Sequence, residues 1–112
     1  MSNNSYVTID GLEIGRAQGV QAEAAKQPAH VHMNPILLKP KMDTMSEVVL
    51  HGKVFKSYTG MNYGKEFTLT HGMKAIRESL SYIEDNYDVI VIEGAGSPAE
   101  VNLNDREIVN MR

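Results

Sequence analysis

The sequence predicts the α/β fold class, with a largely parallel sheet and flanking helices. Its patterns follow the order helix, strand, strand, helix, strand and the first turn of another helix. Residues 89–92 are β-branched throughout, which is typical of a strand buried on both faces of a parallel sheet. An acid and a glycine-rich loop follow this run, at the sheet edge where open α/β sheets bind their ligands.

The first part of the chain predicts one short strand and one helix. Residues 6–9 are a short strand or an extended loop, and residues 13–27 are rich in Ala, Glu and Gln, which favour helix. Gly15 and Gly19 each lower the helical propensity by about 1 kcal/mol, but they allow a neighbouring element to approach closely. Pro28 ends the helix. The small apolar residues of its predicted buried face are Ile14, Ala17, Val20 and Ala24.

The middle of the chain predicts two strands and the most regular helix of the sequence. Apolar runs at residues 36–38 and 48–50 predict the strands, the second with a continuation through residues 54–55. Residues 68–86 predict the helix, with Thr70 as its N-cap. The apolar residues that recur three or four apart along this helix are Met73, Ile76, Leu80 and Ile83.

The length and the two ends of the pattern predict an incomplete fold. A chain of 112 residues is one domain or part of one. The run at residues 89–92 requires neighbouring strands on both sides. Residues 108–112 begin a helix that is too short to cover a face of the sheet. We therefore expect exposed sheet edges, which invite pairing between chains.

The composition excludes several classes of function. The net charge is −3 and the basic residues are scattered, which argues against a nucleic-acid partner. The chain has no cysteine, which excludes disulfides, thiol catalysis and cysteine-based zinc sites. The sequence shows no signal-peptide h-region and no apolar run of membrane-spanning length, so no membrane partner is expected. These features are compatible with a cytoplasmic protein.

Glu93 is the first candidate for a site. An acid at the tip of a buried strand is placed to hold Mg²⁺, directly or through water, in nucleotide-binding α/β proteins. The alternative, of equal weight, is a carboxylate that caps the next turn. Gly94, Ala95 and Gly96 follow and can present backbone N–H groups to a phosphate. The phosphate-binding motif G-x-x-x-x-G-K-[ST] is absent from the chain.

Three further acids are candidates, each with an ordinary structural alternative. Asp105 and Glu107 are two apart and can bind a metal, orient a cation or activate a nucleophile. Their alternative is a solvated helix N-terminus, where acids are favoured. Glu13 begins the first predicted helix, where it is either a second metal ligand or an ordinary helix-start acid.

The histidines do not predict a metal site. His30 and His32 are two apart in a predicted loop, and the sequence offers no third ligand beside them. His51 and His71 occur singly and predict structural or exposed side chains.

Four long segments resemble one family. EIGRAQGVQAEAA, HMNPILLKP, VVLHGK and YDVIVIEGAGSPAEVNLNDREIVNM are similar to cobyric acid synthase, the glutamine-dependent amidating enzyme of cobalamin biosynthesis. The segments occur in the family's order, and the resemblance as a whole spans nearly the entire chain, from Ser5 to Met111. The EGAGSPAE-x-NL signature is specific to this family rather than to nucleotide-binding proteins in general.

The resemblance implies a fold and a reaction. Family members have an N-terminal synthetase domain related to dethiobiotin synthetase, with a P-loop NTPase-like α/β fold, and a C-terminal class I glutaminase domain that supplies ammonia. With ATP and Mg²⁺, the synthetase domain of such enzymes is expected to activate carboxylates of a corrinoid, adenosylcobyrinic acid a,c-diamide, as acyl phosphates. Ammonia then forms the amides at positions b, d, e and g.

The resemblance also implies which part of the enzyme this chain represents. Residues 1–112 correspond to an internal fragment of the synthetase domain, without the first strand and its P-loop, and without the glutaminase domain. We therefore expect the isolated fragment to be inactive.

The same resemblance implies roles for individual residues. Glu93 corresponds to the acid of the E-G-A-G motif, which ligates Mg²⁺ in related synthetases, and Glu13 corresponds to a helix-start acid that provides another metal ligand. Asp105 lies in a motif that is usually D-R-D. Here the third position is Glu107, whose longer side chain changes the geometry of that position.

Two alternatives of other classes stay open. The chain is an inert, self-associating and homo-oligomeric fragment if its exposed sheet edges pair between copies. A partition-type or iron–sulfur-carrier P-loop switch shares the fold, but such proteins lack the SPAE-x-NL continuation, which makes this the weakest alternative.

Overall fold

A computed structural model of the chain describes residues 4–42, 45–59 and 67–94. In these ranges the structure is α/β, with strands in two small antiparallel sheets and two α-helices. A 3-10 turn at Val31–Met33 precedes β3, and a π-helical turn at Thr68–Gly72 precedes α2. The strands and helices are β1 Ser5–Val7, β2 Glu13–Gly15, α1 Arg16–Ala24, β3 Ile36–Met42, β4 Met45–Leu50, β5 Lys53–Thr59 and α2 Met73–Asn86.

Strand β4 is the centre of the larger sheet. It pairs with β3 on one side, where Leu37 lies opposite Val49, and with β5 on the other. Consecutive side chains of a strand point to opposite faces, and both Val48 and Val49 are buried. Both faces of this sheet are therefore covered at its middle strand.

Strands β4 and β5 are joined by the two-residue turn His51-Gly52. Both residues have positive φ, 45° at His51 and 79° at Gly52, as a type I′ hairpin turn requires. The Gly52 carbonyl accepts a hydrogen bond from the Glu13 amide at 3.1 Å, and the His51 amide donates to the Pro35 carbonyl at 2.8 Å. The turn therefore fastens the larger sheet to β2, and it also bonds to the residue that precedes β3.

Two glycines allow the close packing around α1. A Cβ atom on Gly19 would lie 2.3 Å from the Tyr6 ring, so this ring rests directly on the helix backbone. At Gly15, the amide donates to Asn34 Oδ1 at 2.7 Å. The prediction that Gly15 and Gly19 permit close approach is confirmed.

Helix α2 buries Ala75 and Ser79 on its inner side. The π-helical turn leads into it, with Gly72 at the N-cap, so Thr70 lies inside that turn and the prediction of Thr70 as N-cap is wrong. Just before the turn, Phe67 is fully buried near the Phe55 ring. In the described ranges, neither helix has the length and apolar character needed to cross a bilayer.

All strand pairs in the described residues are antiparallel, so a largely parallel sheet is not shown there. Connection length explains the difference. Parallel neighbours need a crossover of about a dozen residues or more, whereas only two residues separate β4 from β5. The polar stretch between the two predicted strands also belongs largely to β3 and β4.

The predicted helix over residues 13–27 is shorter than expected. Glu13–Gly15 pairs with Ser5–Val7 as a strand, and the helix begins at Arg16. The predicted buried face is correct at Ile14, which is fully buried although it lies in β2, and wrong at Ala17 and Ala24, which are exposed. Gly19 and Ala22 are the buried residues of α1, while Val20 is exposed.

The prediction of a buried strand at residues 89–92 is also wrong within the described residues. No strand pairs with this segment there, and the exposed fractions are 79% for Val89, 92% for Val91 and 72% for Ile92. A strand buried on both faces needs partners and covering layers, and the described part of the chain provides neither. The helix predicted at residues 108–112 lies outside the described residues.

Replacing Gly52 with Ala should destabilise the protein by about 2–4 kcal/mol, because the positive φ disfavours a side chain and overpacking adds to the cost. The new Cβ would lie 2.6 Å from Leu12 Cβ and 2.7 Å from Val31 Cγ1. Gly11→Ala is the matched control, since Gly11 has φ 80° and no atom within 4 Å of the added Cβ, and should cost about 1 kcal/mol. Urea unfolding measures both, and equal losses would contradict the packing contribution at Gly52.

Candidate functional site

Glu13 lies on β2 and is held by two donors. Its Oε1 atom accepts a hydrogen bond from the Ser5 hydroxyl and lies 2.8 Å from Lys39 Nζ on β3. Ser5 and Glu13 are diagonal neighbours on one face of the β1–β2 pair. The hydrogen bond from Lys39, and next the one from Ser5, hold the pKa of Glu13 below its usual value near 4.5. The carboxylate is therefore charged and already neutralised by a side chain of the protein.

Glu93 lies on the exposed segment that follows α2. Its Oε2 atom accepts a hydrogen bond from Gln21 Nε2 on α1 at 2.6 Å. This contact joins the end of the segment to the middle of α1. Glu93 itself is exposed, as is Gly94.

A groove of about 400 Å³ lies beside this contact, between α1 and the end of α2. Gln18, Gln21, Ala22 and Ala25 contribute one helical face, since they are three, four and seven residues apart. Ile83, Tyr87 and Ile90 are among the residues that line the opposite side. The groove therefore has an apolar lining with amide and carboxylate groups beside it.

The described residues do not form a magnesium site by themselves. Glu13 and Glu93 each have their own partners, and no three His, Asp or Glu side chains of the described ranges are grouped so that they could hold a metal. Mg²⁺ prefers several oxygen ligands in near-octahedral arrangement. The remaining predicted site residues, Ala95, Gly96, Asp105 and Glu107, lie outside the described residues.

Sequence reasoning missed Lys39 and Gln21, which contact the two predicted acids. Lys39 follows an apolar run, which indicated a strand but not which acid the next strand would present. Gln21 was placed beside the apolar face of a helix whose start was set three residues too early. Gln18, Gln21 and Ala22 share one helical face by their spacing, but the spacing does not indicate that this face lies beside residues 87–93.

A second cluster of polar side chains joins the 3-10 turn, the β4–β5 turn and α2. Ser79 Oγ on α2 lies 2.8 Å from His32 Nδ1 and 3.1 Å from His51 Nε2. The His30 and His32 rings stack at 4.9 Å between centroids, and Tyr82 stacks on His30 at 4.7 Å. The fold brings His51 beside His32, but the described histidines are not grouped so that they could hold a metal.

Replacing Lys39 with Met should raise the pKa of Glu13 towards its usual value, because the first of its two donors is lost. The lowered pKa gives stability that is present above pH 4.5 and is lost as the pH falls through the folded-state value. Carbon-13 NMR of the Glu13 carboxyl measures the shift. Lys41→Met is the control, since Lys41 lies on the same strand and pairs with Glu47. An unchanged Glu13 titration in Lys39→Met would contradict the ion pair.

Comparison with known proteins identifies relatives along the whole chain. Cobyric acid synthase of Anoxybacillus flavithermus is 59% identical over 112 residues, which is 100% of this chain and 22% of that protein. The cobyric acid synthases of Thermoanaerobacter sp. and Clostridium botulinum are 53% and 49% identical over 99% of this chain, and again 22% of each relative is covered.

No family model and no solved structure matches the chain. The chain spans about a fifth of the length of the curated relatives that it matches. Relatives that are 47–59% identical over 99–100% of this chain nevertheless show which family it belongs to. The chain belongs to the cobyric acid synthase family, as a segment of that enzyme.

Proposed function

We propose that this chain is an internal segment of the ATP-dependent synthetase domain of cobyric acid synthase. The observation that carries the proposal is the 59% identity to a cobyric acid synthase without a gap in coverage from the first residue to the last. The α/β structure of the described residues is compatible with part of such a domain.

The intact enzyme would convert carboxylates of a corrinoid into amides. A substrate carboxylate attacks the terminal phosphate of ATP, which gives an acyl phosphate and ADP. Ammonia, released from glutamine by the glutaminase domain with glutamate as the other product, then displaces phosphate and leaves the amide. Each amide therefore consumes one ATP and one glutamine amide nitrogen, and we propose positions b, d, e and g as the sites.

Within this reaction the segment would supply acids and backbone donors. We propose that Glu93 and Glu13 act as Mg²⁺ ligands in the intact enzyme, where the metal would neutralise phosphate charge. Their present donors, Gln21 and Lys39, hold the two carboxylates in fixed positions. Asp105 and Glu107 are proposed as catalytic carboxylates that orient a cation or activate a nucleophile.

The backbone of Gly94, Ala95 and Gly96 is proposed to face ATP phosphates. The segment that leads to this loop carries β-branched side chains that are exposed here, 79% at Val89 and 92% at Val91. This exposure supports the proposal that the segment is a strand of a larger sheet in the intact enzyme. We propose that residues 89–92 pair in parallel with a strand from the rest of the enzyme, as expected of a P-loop NTPase-like fold.

A segment exchange tests the proposal directly. This chain replaces the matching residues of the Anoxybacillus flavithermus enzyme, and transfer of nitrogen-15 from the glutamine amide to the corrinoid is followed by mass spectrometry. The exchanged enzyme should amidate the corrinoid, and Glu93→Gln within it should lower the rate by about 100-fold or more, because a metal ligand is lost.

Glu84→Gln is the matched control, since Glu84 is an exposed acid on α2, and should leave the rate unchanged. Thermal unfolding establishes that each exchanged enzyme is folded. A folded exchanged enzyme that moves no amide nitrogen to the corrinoid would refute the proposal.

A second candidate function concerns the chain in isolation. We propose that the 112-residue chain self-associates through residues 89–92, because an exposed β-branched run is a template for strand pairing between chains. Such a fragment would be catalytically inert.

Size-exclusion chromatography with light scattering should show a dimer or larger species whose fraction rises with concentration. Val91→Lys should return the chain to a monomer, because a charge on a pairing edge disfavours association. Val20→Lys is the control, since Val20 is an exposed valine on α1. A wild-type chain that stays monomeric at every concentration contradicts this candidate.

A further inference from the structure

We propose that His30, His32, His51 and Ser79 form a proton-sensitive joint that holds helix α2 against the rest of the structure and releases it on acidification. We call these four residues the histidine joint. It connects α2 with the 3-10 turn and the β4–β5 turn through contacts of 2.8 and 3.1 Å to one serine hydroxyl. It would act whether or not Glu93 binds a metal.

The Ser79 hydroxyl makes the joint sensitive to whether the His32 and His51 imidazoles are protonated. A hydroxyl has one hydrogen to donate and two lone pairs to accept with. When His32 and His51 are neutral, Ser79 can donate to one ring nitrogen and accept from the other. When both rings are protonated, each presents N–H to Ser79, whose own hydrogen then has no partner among these rings. Ser79 is only 2% exposed, so that hydrogen cannot turn freely to water.

His30 adds an independent proton-sensitive contact. Its Nδ1 atom accepts a hydrogen bond from the His32 backbone amide at 3.2 Å and so caps the 3-10 turn. A proton on Nδ1 would place a donor against a donor, and the cap would be lost. The turn that carries His32 would thereby lose its N-terminal support.

The acids near the joint are too few and too exposed to compensate the positive charge that its three histidines would carry when protonated. The ring centroids of His30 and His51 lie 4.9 and 5.2 Å from that of His32. Two acids interact with these rings, Asp10 with His30 and Glu78 with His32. Both acids are exposed, which weakens their effect by screening. From α2, the joint also meets the neutral phenol of Tyr82, whose ring lies 4.4 Å from that of His32.

Glu78 is further shared with Lys74, whose Nζ lies 3.8 Å from Glu78 Oε1. Burial lowers the pKa of His32 below its usual value near 6.5, and the His30 and His51 imidazoles lower it further, whereas Glu78 opposes them. The unfolded or released state therefore binds more protons than the packed state just below pH 6.5. The contribution of His32 to stability is complete above that pH and is lost as the pH falls.

Release of α2 would also change the position of residues in the candidate site. Helix α2 ends at Asn86, and Ile83 and Tyr87 line the groove beside the Glu93–Gln21 contact. Since residues 87–93 continue directly from the helix, a change in the position of α2 moves the segment that carries Glu93.

Hydrogen–deuterium exchange of the 112-residue chain at pH 7.0 and pH 5.5 tests the joint. After correction for intrinsic exchange rates, the amides of α2 should lose protection several-fold, up to about tenfold, since one additional bound proton contributes up to about tenfold per pH unit. The amides of β4 should keep their protection. Unchanged protection of α2, or an equal loss in β4, would overturn the proposal.

A variant with three substitutions separates protonation from other effects of acid. In His30→Asn the amide oxygen can still cap the turn, and His32→Asn and His51→Gln place amide groups near the lost Nδ1 and Nε2 atoms. This variant should lose less than about twofold protection in α2 over the same pH range, because none of its substituted groups titrates there.

His71→Gln is the matched control, because His71 is exposed and packs on Phe55 outside the joint, and it should respond to pH as the wild type does. A wild-type response in the triple variant contradicts the joint. If the triple variant does not fold, the comparison of α2 with β4 in the wild-type chain still decides.

Discussion

The two-residue turn at His51 and Gly52 is the contact on which the arrangement of the described elements depends. Its carbonyl and amide groups bond to β2 and to Pro35, and its imidazole reaches Ser79 on α2. A side chain at Gly52 would meet Leu12 and Val31, so the absence of one lets the larger sheet approach the smaller. A tight turn is usually a surface connection. Here it is the place where four parts of the chain meet.

The two candidate metal ligands share a property that follows from this arrangement. Glu13 is satisfied by Ser5 and Lys39, and Glu93 by Gln21, so neither carboxylate depends on a metal ion for a partner. These donors bind one oxygen of each carboxylate, so a metal that binds either group must compete with them for its negative charge. Its net affinity is then the difference between two sets of interactions rather than the sum of new ones. The rest of the intact enzyme would have to supply further oxygen ligands for the net binding of a metal to be favourable.

Local signals in the sequence predicted part of this structure. The apolar run around Val48, the regular helix over most of 68–86 and the close approach at Gly19 are all present. Residues 89–92 show the limit of such signals, because a β-branched run indicates what a strand would look like and not whether a partner is there. Strand direction was likewise decided by the short connection between β4 and β5, which the pattern of apolar runs does not specify.

The candidate site was less predictable than the fold, because its contacts join distant residues. Glu93 and Gln21 are 72 positions apart, and His32 and Ser79 are 47 apart. A single sequence carries no periodic signal for such pairs. The acids themselves are candidates from the sequence alone, since acids after strands and at element starts are local features. Their partners depended on which strand lies beside β2 and which helix lies beside residues 87–93.

His51 carries a conflict between local and tertiary preference. Its φ of 45° suits the turn, but Asn is the residue most favoured at the first position of a type I′ turn. Asn there would fit the backbone and would be too short to reach α2 as the imidazole does. The position is therefore locally frustrated, because the residue that best forms the hairpin is not the one that best docks the helix. Such a conflict implies that hairpin formation and helix docking can be tuned separately, and that the hairpin can form early while the helix remains free to dock later.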